Sequence, residues 1–164
     1  MDKQKQMEED VRRALLHESG HAVMAVLQKI KCDGIYYLKD RKKFCTIAYF
    51  PPQLSKGDYV FHASGVAAER IFYPREDVDA SAHDRIVFEK DGAPGFEETV
   101  SEAKSILLNK KTEIETIEMK LWKTVARGGV GCRDLPDIYK VLSDTKERCA
   151  ELMSIKTLET EIHE

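Results

Sequence analysis

The sequence predicts a mostly helical α+β domain carrying one short antiparallel β-hairpin. Three observations lead there. Apolar residues recur at spacings of three and four along most of the 164 residues. Two short runs rich in aromatic and β-branched residues stand close together after the first helical stretch. Ile, Leu, Val and Phe supply 40 residues, enough to bury a core rather than leave the chain disordered. The length fits a single domain over 1–164, with a core of about 7–153 and frayed ends.

The first helix is expected from Met7 to Ile30, with Val11, Leu15, Ala22, Val26 and Ile30 as its buried stripe. Asp33-Gly34 breaks that pattern. Gly34 to Leu38 and Phe44 to Phe50 read as strands, joined by the polar loop Lys39 to Lys43. Pro51-Pro52 ends the second strand, because proline cannot donate to a ladder. A second helix begins near Leu54-Ser55, where Ser55 and Asp58 have capping-box spacing, and ends near Phe72-Tyr73 before Pro74. Arg75 to Ala80 is acidic and irregular, and a short third helix covers Ser81 to Lys90. After the break at Asp91 to Gly95 comes a long helix, Phe96 to Arg127. Its seam is Phe96, Val100, Ala103, Leu107, Ile114, Ile117, Leu121 and Val125, with a kink expected at Asn109 to Thr112. Gly128-Gly129-Val130-Gly131 stops it. The N-capping chemistry of Asp134-Leu135-Pro136-Asp137 predicts a last helix to Met153, ahead of an ambiguous C-terminal tail.

Charge narrows the function class. The net charge is −3 with the signs interspersed, which is not the footprint of a nucleic-acid binder. Arg41-Lys42-Lys43 reads as a solvated turn. The longest apolar run, Ala22 to Leu27, is far short of the roughly 20 residues that span a bilayer. The start, Met1-Asp2-Lys3-Gln4-Lys5, lacks the apolar stretch of a secretory signal. These features predict a cytoplasmic protein without a membrane segment. Cys32, Cys45, Cys132 and Cys149 have no Cys-x-x-Cys spacing and read as reduced, mostly buried groups.

The chemistry concentrates in His17-Glu18-Ser19-Gly20-His21. On a helix, His17 and His21 stand one turn apart on the same face, so both imidazoles can reach one metal ion. Glu18 is placed to take a proton from a water that zinc activates. Shuffling this composition produces the pattern in about 1.5% of chains. The apolar flanks, Ala14-Leu15-Leu16 and Ala22-Val23-Met24, make unpartnered burial of these side chains costly. Gly20 in mid-helix points to a close backbone approach. A catalytic zinc site draws on a third protein ligand. The metzincin continuation is absent, because Met24 and Leu27 occupy its glycine and histidine positions. Glu69, on the following helix, is the ligand a gluzincin arrangement would use.

His17-Glu18-Ser19-Gly20-His21-Ala22 resembles the His-Glu-Ala-Gly-His-Ala of FtsH-type membrane proteases. Ala63-Ser64-Gly65-Val66-Ala67-Ala68-Glu69-Arg70-Ile71-Phe72 resembles that family's Gly-Gly-Arg-Ala-Ala-Glu-Glu-x-x-Phe helix. Ala80-Ser81-Ala82-His83-Asp84 resembles its Gly-Ala-Ser-Asn-Asp segment. The resemblance covers residues 12–150 and departs from the family at Ser64-Gly65-Val66. It implies an FtsH-like peptidase domain with Asp84 as third zinc ligand beside His17 and His21, and Glu18 as general base. The resemblance does not extend to an ATPase module or a membrane anchor. The expected activity is therefore that of a stand-alone zinc metalloendopeptidase, acting without ATP on peptides or unfolded segments. A catalytically inactive zinc-binding, regulatory or adaptor module is the rival. A homo-oligomer and a separate ATPase partner stay open.

Other residues have structural readings as well. Ser81 and Asp84 also have capping-box spacing, and His83 is an alternative ligand. Glu69 also fits the role of an acceptor that orients a ligand histidine. His62 reads as a core or surface histidine, His163 as a tail residue, Trp122 as core and Cys132 as part of a mobile glycine-rich loop. Phe44 to Phe50 reads either as an ordinary hairpin strand or, by the resemblance, as a substrate-binding edge.

Overall fold

Asp2 accepts a hydrogen bond from the Gln4 N–H and caps α1, Lys3–Leu27, so the helix starts a turn before its apolar stripe does. The computed structural model describes residues 2–76, 82–129 and 132–143. Beyond α1, Lys29 takes a left-handed φ of 56° and the chain turns into β1, Cys32–Leu38. The Lys39–Lys42 turn leads back along β2, Lys43–Ala48. Ser55 and Asp58 form the expected reciprocal cap, with bonds of 3.3 and 2.8 Å, and open α2, Lys56–Phe72.

The short third helix is α3, Ala82–Arg85, followed by a 3-10 turn over Ile86–Glu89. Ser81 and most of the acidic segment before it lie outside the described residues. The long C-terminal helix is two helices, α4, Phe96–Leu107, and α5, Lys111–Ala126. A 3-10 turn at Leu108–Lys110 joins them, where the kink is expected.

The predicted last helix is a strand where it is described. Residues Ile138–Ser143 form β3, which pairs antiparallel with β1. The sheet order is β2-β1-β3, so the expected hairpin is part of a three-stranded antiparallel sheet. Ile35 lies between Thr46 and Leu142, and Tyr37 between Phe44 and Tyr139. The physical reason is pairing. The hairpin alone leaves one edge of β1 without backbone partners, although Ile35 and Tyr37 are buried. Ile-Tyr-x-Val-Leu has the β-branched and aromatic composition to fill it. A register shift between Ile35 and Tyr36 lets consecutive Val141 and Leu142 both bury. The remainder of that predicted helix to Met153, the tail, Cys149 and His163 lie outside the described residues.

The fold is therefore mostly α with a small antiparallel sheet. No described helix is long and apolar enough to cross a membrane. The core runs from Leu15, Val23 and Met24 on α1 through Val66 on α2 to Val100 and Leu107 on α4. Ile114, Ile117, Leu121 and Val125 bury the expected seam of α5. On the other flank of α1, Arg12 makes a two-pronged ion pair with Glu118 of α5, at 2.8 and 3.0 Å. Its guanidinium stacks 5.5 Å over Trp122, which packs against the core as expected.

Helix α1 meets α2 at a glycine. A Cβ on Gly20 would lie 2.6 Å from the Ala68 Cβ and 2.8 Å from the Ser64 carbonyl oxygen, neither of which can swing aside. Gly20→Ala should therefore lower stability. Overpacking costs about 1–3 kcal/mol, against a gain of about 1 kcal/mol in helix propensity. Urea unfolding should show a lower midpoint at unchanged slope. An unchanged or raised midpoint would disprove the tight crossing.

Candidate metal centre

One helical turn separates His17 from His21, and the fold turns both rings toward α3. Their Nε2 atoms stand 3.1 Å apart. Asp84 reaches both, with Oδ2 3.0 Å from His17 Nε2 and Oδ1 3.6 Å from His21 Nε2. One ligand atom from each residue lies within 4.8 Å of the others. His83, the neighbouring alternative, is exposed and stands outside this cluster.

The far nitrogens are held from α2. His17 Nδ1 donates to Glu69 Oε1 at 2.7 Å, and Arg13 Nε donates to Glu69 Oε2 at 3.0 Å. His21 Nδ1 donates to the Phe61 carbonyl at 2.9 Å. The Ser64 hydroxyl donates to that same carbonyl at 2.5 Å and lies 3.1 Å from His21 Nδ1. With each Nδ1 committed, both Nε2 atoms present lone pairs to a metal. Glu69 thus touches a histidine ring from behind and lies outside the three-residue cluster.

Gly65 makes room for this arrangement. A Cβ there would sit 2.2 Å from His17 Nε2, so the imidazole packs onto bare α2 backbone. The donor set fits a metal ion. Tetrahedral nitrogen and oxygen ligands at 2.0–2.2 Å lie roughly 3.3 Å from one another; the two Nε2 atoms are 3.1 Å apart, and Asp84 brings Oδ2 to 3.0 Å of one and Oδ1 to 3.6 Å of the other. Two imidazoles and one carboxylate are a donor set that a divalent transition-metal ion such as zinc or iron can take.

Without metal the cluster is a buried ion network. Burial alone would push the His17 imidazolium down, but hydrogen bonds to Asp84 and Glu69 outweigh it and raise its pKa to about 10. Burial likewise favours the neutral Asp84 carboxyl, but the His17 and His21 rings hold it far below the usual carboxylate range. The same balance lowers Glu69: burial opposes its charge, and His17 and Arg13 stabilise it.

Glu18 is buried, and one of its carboxylate oxygens accepts a hydrogen bond from the Thr46 hydroxyl on β2. Glu18, the two histidines and Asp84 line a cleft of about 1020 Å³, whose apolar walls include Val11, Phe44, Phe50 and Phe61. His62 faces the same cleft, stacked on Phe50 with ring centroids 4.6 Å apart. Burial, and next the nearby His21, lower its pKa to about 4, so its ring is neutral at pH 7. Its nitrogens make no hydrogen bond among the described residues. Cys45 and Cys132 also line the cleft, and burial pushes both thiols up, away from the reactive thiolate.

Reasoning from sequence missed Thr46, Arg13, the Phe61 carbonyl, Ser64 and the space left by Gly65. A second mid-helix glycine was the available signal for the last of these. The others depend on which strand and helix face α1. The chain matches no protein-family profile, no curated protein and no solved structure. The reading of the site therefore rests on its own geometry and on the motifs.

Two expectations follow from the hydrogen bonds. Glu69→Gln should weaken metal affinity about 10–100-fold, read by competition with a chromogenic chelator, because it loosens the ring that Glu69 orients. Unchanged affinity would remove Glu69 from the site. A metal also displaces the proton on His17. Calorimetric titration at pH 7 in buffers of different ionisation enthalpy should show release of about one proton. Affinity should rise as pH approaches 10. In the metal-free chain the sign reverses. The raised His17 contributes stability in full below pH 6.5 and loses it as pH climbs through about 10. The depressed Asp84 contributes above pH 3.8 and loses it in acid.

Proposed function

We propose that the protein is a zinc metallopeptidase that cleaves peptides or unfolded polypeptide segments without ATP. One observation carries the reading: the Glu18 carboxylate shares a cleft wall with the His17, His21 and Asp84 donors, tied to a strand edge by Thr46. A site that only stabilised the fold would need the three donors but no carboxylate beside them. The resemblance to FtsH-type peptidase domains assigns the same roles to these residues.

His17, His21 and Asp84 would hold zinc. When bound, zinc supplies Lewis acidity toward the scissile carbonyl and lowers the pKa of water. Glu18 takes the proton from the attacking water and later delivers it to the leaving amine nitrogen. Thr46 fixes one Glu18 oxygen and leaves the other for that transfer. Glu69 and the Phe61 carbonyl hold the two rings in their ligating tautomers. His62 offers a neutral N–H to the substrate carbonyl oxygen as negative charge develops on it. Because β2 is the outer strand of β2-β1-β3 and its residues line the cleft, an extended substrate backbone has an edge on which to pair.

The test begins with metal content. Elemental analysis should find about one zinc per chain in the wild type and a clear loss in Asp84→Ala. Glu18→Gln should keep its zinc and lose about 10²–10⁴-fold in hydrolysis of quenched fluorogenic peptides, with or without ATP. Zinc without hydrolysis in the wild type would instead favour the non-catalytic binding or adaptor module. Full activity in Glu18→Gln would remove Glu18 as the base.

A further inference from the structure

Charge is distributed unevenly around the cleft. Its acidic lining residues, Asp10, Glu18, Glu69 and Asp84, come from α1, α2 and α3. Its basic lining residues gather around the β1–β2 turn. Lys42 lines the cleft from the β1–β2 turn, Lys43 from the start of β2, and Arg133 from the segment before β3. Among the described residues none of these three cations has an acidic partner, whereas Arg12, Arg13, Lys56 and Arg70 all have one.

The convergence is built rather than incidental. Ninety residues of chain separate Lys43 from Arg133, and Lys39 clasps the two segments together. Its Nζ donates to the carbonyls of Arg133 and Leu135 at 3.0 and 3.2 Å, and its backbone N–H donates to the Asp137 carbonyl at 2.9 Å. Lys39 thus spends its charge on loop carbonyls and leaves Lys42, Lys43 and Arg133 facing the cleft.

We infer that the cleft selects peptides bearing an acidic side chain near the β1–β2 turn. The position can be set from the strand. Thr46 marks the site of proton transfer through its bond to Glu18, and Lys43 lies three residues along β2. At 3.3–3.4 Å per residue that is roughly 10 Å. A peptide laid along β2 has the same rise, so the favoured Asp or Glu falls about three residues from the cleaved bond. The carboxylates beside the metal donors disfavour an acidic side chain there. The charge preference concerns binding alone. Only the distance to the cleaved bond rests on the peptidase reading.

The experiment uses the full chain carrying Glu18→Gln, so that a bound peptide is not consumed. Two labelled peptides, identical and apolar except for one Glu or one Lys, are compared by fluorescence anisotropy. The Glu peptide should bind about tenfold more tightly at low salt. The gap should shrink as salt shortens the screening length to about 8–10 Å. Combining Lys42→Glu, Lys43→Glu and Arg133→Glu should reverse the preference while the circular dichroism spectrum stays unchanged. These side chains are exposed or half-buried, which favours an intact fold. Equal binding of the two peptides, no binding of either, or an unchanged preference after charge reversal would overturn the inference. With zinc-loaded wild type, mass spectrometry of products should place the cut about three residues from Glu. Selective binding without any cut would instead count against the peptidase reading and leave the charge selectivity standing.

Discussion

The contact on which the site depends is the close crossing of α1 and α2. Gly20 brings α1 against the α2 backbone at Ser64, and Gly65 lets α2 lie directly beneath the His17 ring. Two missing side chains on facing helices set the separation. That separation decides what α2 can reach. Glu69 and the Phe61 carbonyl lie within hydrogen-bond distance of the two Nδ1 atoms only because the helices approach this closely. A helix pair spaced by ordinary side chains would still carry His-Glu-x-x-His, but with its imidazoles unoriented. The mid-helix glycine costs about 1 kcal/mol of propensity, and the crossing offsets it.

From that crossing the polar network extends in both directions. Glu69 is itself held by Arg13, one turn before His17 on α1, so helix α1 braces its own ligand through its neighbour. Asp84 closes the other side from a four-residue helix. Buried charges persist only when they are paired or hold a metal. Here two carboxylates share one imidazole of raised pKa, and the network is satisfied with a proton where a cation would sit.

How much of this was legible in the sequence follows from the range of each interaction. The motif histidines, the α2 capping box and the seam of α4 and α5 are fixed by spacings of three and four, and the structure has them. The predicted last helix failed at residues 138–143 because the local N-capping chemistry of Asp134 to Asp137 said nothing about the vacant edge of β1, more than 90 residues earlier. Strand pairing is a long-range condition, and only the β-branched run hinted at it. Asp84 could not be singled out by spacing, since His83, Glu69 and a capping role competed for the same reading; the family resemblance pointed to it. Thr46 carried no signal at all. Its importance arises from register, which places it across from α1 while Ile35 pairs behind it.

That last link bears most directly on function. The Thr46 hydroxyl joins the proposed base to the strand on which a substrate would lie, so base and substrate share one frame of reference. A peptide hydrogen-bonded along β2 is positioned relative to Glu18 by backbone register rather than by flexible side chains. The basic lining of the cleft belongs to the same frame, because Lys43 sits on that strand and Lys39 fastens Arg133 beside it. Backbone pairing would then supply affinity with little sequence preference. The cations would choose which register is productive, since a one-residue slip moves an acidic side chain to the opposite face of the strand. Selectivity in such a site is selection of register, and it requires the strand, the base and the charges to be one rigid unit.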